Sequence, residues 1–63
     1  MPIIRIEMFE GRTVEQKRAC AEAVTKAWCE TCGGTPPMVT IVFSDVARHD
    51  WATAGQLALD PKV

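Results

Sequence analysis

One long helical segment lies between two strand-like segments, and this order leaves the chain very few possible folds. Residues 2–9 (PIIRIEMF) place isoleucine and methionine at every second position, the period of a β-strand. Residues 38–44 (MVTIVFS) are β-branched and apolar on both faces apart from Thr40, which is typical of a buried strand. Strand, helix and strand in succession predict two parallel strands joined by a right-handed crossover.

The segment between the strands carries start and stop signals for a helix of about nineteen residues. Thr13 is a candidate N-cap, and Gln16 three residues later completes a capping-box pattern. Gly33-Gly34 should end the helix, and Pro36-Pro37 prevent it from resuming. One stripe at helical spacing should face the strands: Cys20, Val24, Ala27, Trp28 and Thr31.

The remainder of the chain is too short for a second layer. Residues 45–50 (DVARHD) are mostly polar, and residues 51–59 (WATAGQLAL) are expected to form a small hairpin or an arm on a neighbouring subunit. We therefore predict a single α/β domain over residues 1–63, a small βαβ protomer with a short C-terminal hairpin or arm.

A chain of 63 residues can bury little surface by itself. Scaling relations give about 10,000 Å² of surface unfolded and about 4,000 Å² folded. Burial then contributes ~90 kcal/mol at ~25 cal/mol/Å², and ordering the chain costs about the same at ~1.5 kcal/mol per residue. Two strands also leave both sheet edges without partners. We therefore expect a homo-oligomer whose sheet is completed by association.

Charge and hydropathy exclude several classes of partner. Seven basic and eight acidic residues give a net charge of −1, so no basic stripe indicates nucleic acid. Apolar runs of only a few residues predict no membrane span and no export signal, and therefore a cytoplasmic protein.

Three cysteines, Cys20, Cys29 and Cys32, are expected to be reduced thiols that partly pack. Cys29 and Cys32 have C-x-x-C spacing, but zinc would need two further ligands, and His49 is the only histidine. We therefore expect no metal site at these cysteines. A thiol or zinc protein built on the C-x-x-C pair remains an alternative.

Pro2 has two interpretations. It can simply begin the first strand, or it can be a catalytic amine once Met1 is removed. A general base must be unprotonated at neutral pH. Apolar neighbours such as Phe9 and Trp51, together with a cation such as Arg12, would lower the pKa of that amine because both disfavour the ammonium form.

The chain resembles the 4-oxalocrotonate tautomerase family, whose small βαβ subunits begin with a catalytic proline. The likeness covers nearly the whole chain. The matching residues are Pro2-Ile3, Glu10-Gly11-Arg12 after the first strand, Glu15-Gln16-Lys17 at the helix start, and Trp51 followed by Ala54-Gly55-Gln56-Leu57-Ala58.

The resemblance implies a cofactor-independent enzyme that moves a proton in an enol or unsaturated 2-oxo acid. Pro2 would be the general base and Arg12 would bind the carboxylate of a small-molecule substrate. Phe9 and Trp51 would line an apolar pocket. The family assembles as hexamers or trimer-like assemblies, with pockets shared between subunits, and we expect a hexamer here.

The sequence departs from this family at Thr40, where the register places a second substrate-binding arginine. A hydroxyl donates one neutral hydrogen bond, whereas arginine offers a charged fork. Either the substrate has one carboxylate, or Arg5 or Arg48 substitutes, or activity is weak. The competing interpretation is a weakly active or non-catalytic oligomer that serves a binding or structural role.

The catalytic interpretation predicts that Met1 is absent from the mature protein, because a proline amide cannot act as a base. Intact-mass spectrometry of protein purified from its native cells should give a mass lower by one methionine residue. Retention of Met1 in that material would exclude Pro2 as the base.

Overall fold

The computed structural model describes residues 1–61, and the strand–helix–strand order is confirmed. A short antiparallel hairpin follows, as the sequence predicted. In chain order the elements are β1 (Ile3–Phe9), α1 (Val14–Cys32), β2 (Thr40–Val46), β3 (Ala52–Thr53) and β4 (Gln56–Leu57), with 3₁₀ turns at Pro36–Met38 and Arg48–Asp50.

β1 and β2 are paired in parallel, in one continuous register. Ile3 lies opposite Thr40 and Phe9 lies opposite Val46. The amide of Glu10 then donates to the carbonyl of Val46 at 3.1 Å, which continues the pairing past the end of β1. The loops that follow the two strands therefore leave the sheet at the same end.

β2 starts and finishes two residues later than the predicted 38–44. Pro36 and Pro37 hold their backbone near the φ of a tight turn. The amide of Met38 donates to the carbonyl of Thr35 at 2.9 Å, so Met38 belongs to a 3₁₀ turn rather than to the strand. At the other end, Val46 remains in the strand because β1 extends far enough to pair with it.

The predicted capping box at the start of α1 is present. The amide of Gln16 donates to Oγ1 of Thr13 at 3.1 Å, and the amide of Thr13 donates to Oε1 of Gln16 at 2.9 Å. At the other end Gly33 takes a φ of +88°, which favours glycine, and its amide donates to the carbonyl of Cys29 at 3.1 Å.

The stripe by which α1 faces the sheet is rotated from the predicted one. Ala27 and Thr31 are exposed, so their assignment to the stripe was wrong, and the Thr31 hydroxyl donates to the carbonyl of Ala27 at 2.7 Å. The half-buried positions are Lys17, Cys20, Ala21, Val24, Thr25, Trp28 and Cys29. The stripe is therefore centred nearer Ala21 than the apolar pattern suggested.

An ion pair joins the start of α1 to the end of β2. Lys17 Nζ lies 2.7 Å from Oδ2 of Asp45, and the two side chains are 25% and 43% exposed. A pair that is this open to solvent stabilises the fold by about 1 kcal/mol or less. Its effect is chiefly to hold the helix start beside the end of the sheet.

The protomer has an open shape with little interior. Among residues 1–61 no hydrophobic side chain is fully buried, and the accessible surface is 5014 Å². The Cα radius of gyration is 15.1 Å, whereas a compact chain of this length would have about 10.6 Å. A compact chain would expose only ~4,000 Å², so this open chain gains about 15 kcal/mol less free energy from burying apolar surface.

No helix within residues 1–61 is both long and apolar enough to span a bilayer.

The capping box predicts a measurable stability change at Thr13. Thr13→Ala removes the acceptor for the Gln16 amide and should lower the free energy of unfolding by about 1 kcal/mol. Chemical denaturation at one fixed protein concentration measures the change. Thr13→Ser retains the hydroxyl and should stay close to the unsubstituted protein, and equal losses in both variants would contradict the capping role.

Candidate functional site

The residues expected to form the site lie at two opposite ends of the sheet. β1 makes six steps from Ile3 to Phe9, which spans about 20 Å at ~3.3 Å per residue. Pro2 precedes this strand, whereas Arg12 follows it. Within one chain, the candidate base and the candidate carboxylate-binding residue are therefore far apart.

The amino end of the sheet contains Pro2 and Thr40. The carbonyl of Pro2 accepts a hydrogen bond from the amide of Thr40 at 3.0 Å, and Pro2 is half-buried. Met1 is 91% exposed and is not held by packing. While Met1 is attached, the nitrogen of Pro2 is a tertiary amide with no proton and no basic lone pair, so base chemistry requires its removal.

The opposite end of the sheet contains an aromatic pair with a cation stacked on it. The rings of Phe9 and Trp51 have their centroids 4.6 Å apart at an interplanar angle of 47°. The Cζ of Arg48 lies 4.5 Å from the centroid of the Phe9 ring. Tilted aromatic pairs and stacked guanidinium groups both stabilise such a cluster.

The 3₁₀ turn after β2 produces this cluster. The amide of Asp50 donates to the carbonyl of Ala47 at 2.9 Å, and the amide of Trp51 donates to the carbonyl of Arg48 at 3.4 Å. Because Phe9 pairs with Val46, Arg48 leaves the sheet only two residues beyond the partner of Phe9. The turn then returns the chain so that Trp51 packs against the same ring.

The hairpin encloses one side of an open cavity of about 570 Å³ beside the aromatic pair. Ala54 and Gly55 have φ values of +53° and +79°, which suit the tight turn between the paired strands. The amide of Ala58 donates to the carbonyl of Trp51 at 2.8 Å and fixes the hairpin to the cluster. The cavity is lined by Phe9, Arg48, Trp51, Thr53, Gln56, Leu57, Ala58 and Asp60.

Arg12 lies in a second, smaller concavity of about 180 Å³ between α1 and the sheet. Gln16, Lys17 and Cys20 line it on the helix side. Arg12 is exposed, and within residues 1–61 no carboxylate lies within ion-pair distance of it. Its guanidinium therefore remains available to an anion from outside the chain.

Within one chain, Phe9 and Trp51 lie at the opposite end of β1 from Pro2. About 20 Å of strand separates Phe9 from Pro2. Among the candidate site residues within residues 1–61, Thr40 is the one that hydrogen-bonds to Pro2.

The C-x-x-C pair lacks a ligand set within the described part of one chain. Across residues 1–61, no three His, Cys, Asp or Glu side chains come together in a way that could hold a metal ion. Cys29 is one of the half-buried residues of the helix stripe, and Cys32 is exposed.

Comparison with known proteins identifies the family. A family model described as "Tautomerase enzyme" matches residues 2–59. The chain belongs to the tautomerase family. The 2-hydroxymuconate tautomerase of Comamonas testosteroni is 42% identical over 55 residues, 87% of each chain. The 2-hydroxymuconate tautomerase of Bacillus subtilis is 37% identical over 60 residues, 95% of this chain and 97% of that one.

A solved structure confirms the fold class. The crystal structure of YwhB, a homologue of 4-oxalocrotonate tautomerase, superposes with a TM-score of 0.91 at 34% identity, covering 97% of this chain and all of that one. With relatives of this kind along nearly the whole length, the comparisons support tautomerase activity for the chain.

Sequence reasoning named Arg48 without being able to place it. Its stacking on Phe9 depends on the strand register and on the 3₁₀ turn, neither of which the residue pattern predicted. Gln56 and Asp60 were not recognised as cavity residues either, because the hairpin was expected only in outline.

Proposed function

We propose that this chain is a cofactor-independent tautomerase in which Pro2, freed by removal of Met1, is the general base and Arg12 binds the substrate carboxylate. The observation that carries the proposal is the family match, which begins at Pro2 itself and continues to residue 59. The substrate class is a small enol or unsaturated 2-oxo acid.

The chemistry requires one group that both accepts and returns a proton. The amine of Pro2 takes the proton of the enol hydroxyl, the electrons form the carbonyl, and the protonated amine returns the proton to carbon. A secondary amine can do both, since its protonated form is a competent acid. Arg12 would hold the carboxylate through two parallel charge-assisted hydrogen bonds and fix the reacting carbon.

The proposed site is shared between copies of the chain. The open surface of the protomer supports association, and so does the position of Pro2 and Arg12 before and after β1. A neighbouring copy that brings Arg12, Phe9 and Trp51 to Pro2 would supply a cation and an apolar surface, and each lowers the pKa of the amine. We propose a homo-oligomer, with a hexamer favoured.

A second candidate function is a weakly active or non-catalytic oligomer that binds small carboxylates. Thr40 favours it, because a neutral hydroxyl stands at the end of the sheet where the family resemblance calls for an arginine. Loss of that charge weakens both substrate binding and stabilisation of the oxyanion.

The role of Pro2 can be measured with three substrates: 2-hydroxymuconate, phenylenolpyruvate and a simple 2-hydroxydienoate. Pro2→Ala should reduce the rate at least tenfold with any substrate that is turned over, a barrier change of about 1.4 kcal/mol. Pro61→Ala makes the same change at an exposed proline and should leave the rate unaltered. Equal rates for Pro2→Ala and the unsubstituted protein would exclude the mechanism.

The shared site predicts that two defective variants complement each other. Pro2→Ala and Arg12→Ala, unfolded together and refolded as a mixture, should recover about a quarter of full activity, because some pockets then combine an intact proline with an intact arginine from different copies. Sedimentation establishes the assembly formed. Activity no greater than that of the separately refolded variants would place both residues in one chain's site, against the proposal.

A further inference from the structure

The last turn of α1 carries two free thiols that the proposed tautomerase mechanism does not use. Cys29 and Cys32 lie three residues apart at the end of the helix, and both are unbridged cysteines. Residues at this spacing are neighbours on one side of a helix, with about 5–6 Å between their Cβ atoms. The two sulfur atoms can therefore approach one ion together.

Both thiols are accessible to a small ion. Cys32 is exposed, and the half-buried Cys29 lines an open cavity of about 490 Å³ on the flank of α1. Pro36 lines the same cavity from the turn that follows the helix. The amide of Gly33 donates to the carbonyl of Cys29 at 3.1 Å, so the helix end that carries the thiols is fixed.

The donors around this cavity suit a soft metal ion. The thioether of Met38 reaches the same end of the helix, where its Sδ is 3.7 Å from the position that a Cβ on Gly34 would occupy. The carboxylate of Glu30 also lines the cavity, but it lies 3.9 Å from Nζ of Lys26. Sulfur ligands select soft ions such as Cu(I), whereas Mg²⁺, Ca²⁺ and Mn²⁺ prefer oxygen.

The number of donors decides between the soft metals. Structural zinc is almost always four-coordinate, and across residues 1–61 no three His, Cys, Asp or Glu side chains come together. Cys20 is nine residues before Cys29, about 13.5 Å away along the helix axis at ~1.5 Å per residue. The residue pattern therefore disfavours zinc at these cysteines, but it does not disfavour Cu(I), which two thiolates can satisfy.

We propose that Cys29 and Cys32 form a binding site for one Cu(I) ion. This site is separate from the tautomerase site, and the inference does not rest on the proposed function. Each thiol gives up its proton when the metal binds, so two protons are released and the copper remains Cu(I). The helix presents both sulfur atoms on one turn, and no loop has to be ordered around the metal.

The site can be measured by competition for Cu(I) with the chromophoric chelator bicinchoninate in the absence of oxygen. The unsubstituted protein should bind one Cu(I) per chain. Cys29→Ser and Cys32→Ser should each bind about tenfold more weakly or worse, because each lacks one thiolate. Cys20→Ser makes the same change at the distant cysteine and should leave the affinity unaltered. Equal losses in all three variants, or a loss in none, would overturn the assignment.

A displaced thiol tests whether the spacing matters. Thr31→Cys combined with Cys32→Ser keeps three cysteines in the chain, but the second thiol is then two residues from Cys29 and faces a different side of the helix. This double variant should bind Cu(I) as weakly as Cys32→Ser. Binding as tight as that of the unsubstituted protein would show that any two nearby thiols suffice, against the proposed site.

A zinc titration distinguishes a site within one chain from a site shared between copies. Because two thiolates do not satisfy Zn²⁺, zinc should not displace Cu(I). One metal ion per two chains, with zinc bound as tightly as copper, would indicate four thiolates from two copies and overturn the proposal. Far-UV circular dichroism and sedimentation verify that each variant keeps the helix content and the state of association of the unsubstituted protein.

Discussion

The parallel register between β1 and β2 is the constraint from which the rest of the molecule follows. It requires a long crossover, which α1 supplies, and it sends the chain out of both strands at one end. Phe9, Arg48 and Trp51 meet there because Phe9 pairs with Val46 and the next turn folds back over the ring. The same register keeps Pro2 at the far end, so the separation of the proposed base from the aromatic cluster follows from the strand pairing.

The fold could be predicted where local chemistry alone determines it. The capping box at Thr13, the glycine stop at Gly33 and the alternation in residues 3–9 all depend on neighbours in sequence. The limits of β2 could not be predicted in this way. Met38 can belong either to the strand or to the turn that the prolines favour, and Val46 is held in the strand by its partner on β1. The prediction of which face of α1 packs on the sheet was wrong for a similar reason. The spacing of apolar residues does not determine which of Ala21, Thr25 and Ala27 a narrow sheet covers.

The residues of the candidate site could be proposed from the sequence, but their arrangement could not. Pro2, Arg12 and Trp51 were named from the resemblance, which carries identities without distances. Because of the length of β1, about 20 Å, these residues fall into two groups at opposite ends of the sheet. The open surface of 5014 Å² gives the chain a physical reason to associate. Stability and chemistry therefore have a common requirement, because the contacts that complete the fold are also those that would unite the halves of the site.

The separation of Pro2 from the Phe9–Arg48 cluster has a consequence for how such a chain can evolve. If each pocket takes its base from one copy and its anion-binding side from another, the two halves are under separate selection once the gene is duplicated. One descendant can lose its proline and the other its arginine while their mixed assembly keeps intact pockets. A division of labour between two diverged chains is thus open to this architecture, and closed to an enzyme whose base and binding residues lie in one chain's pocket.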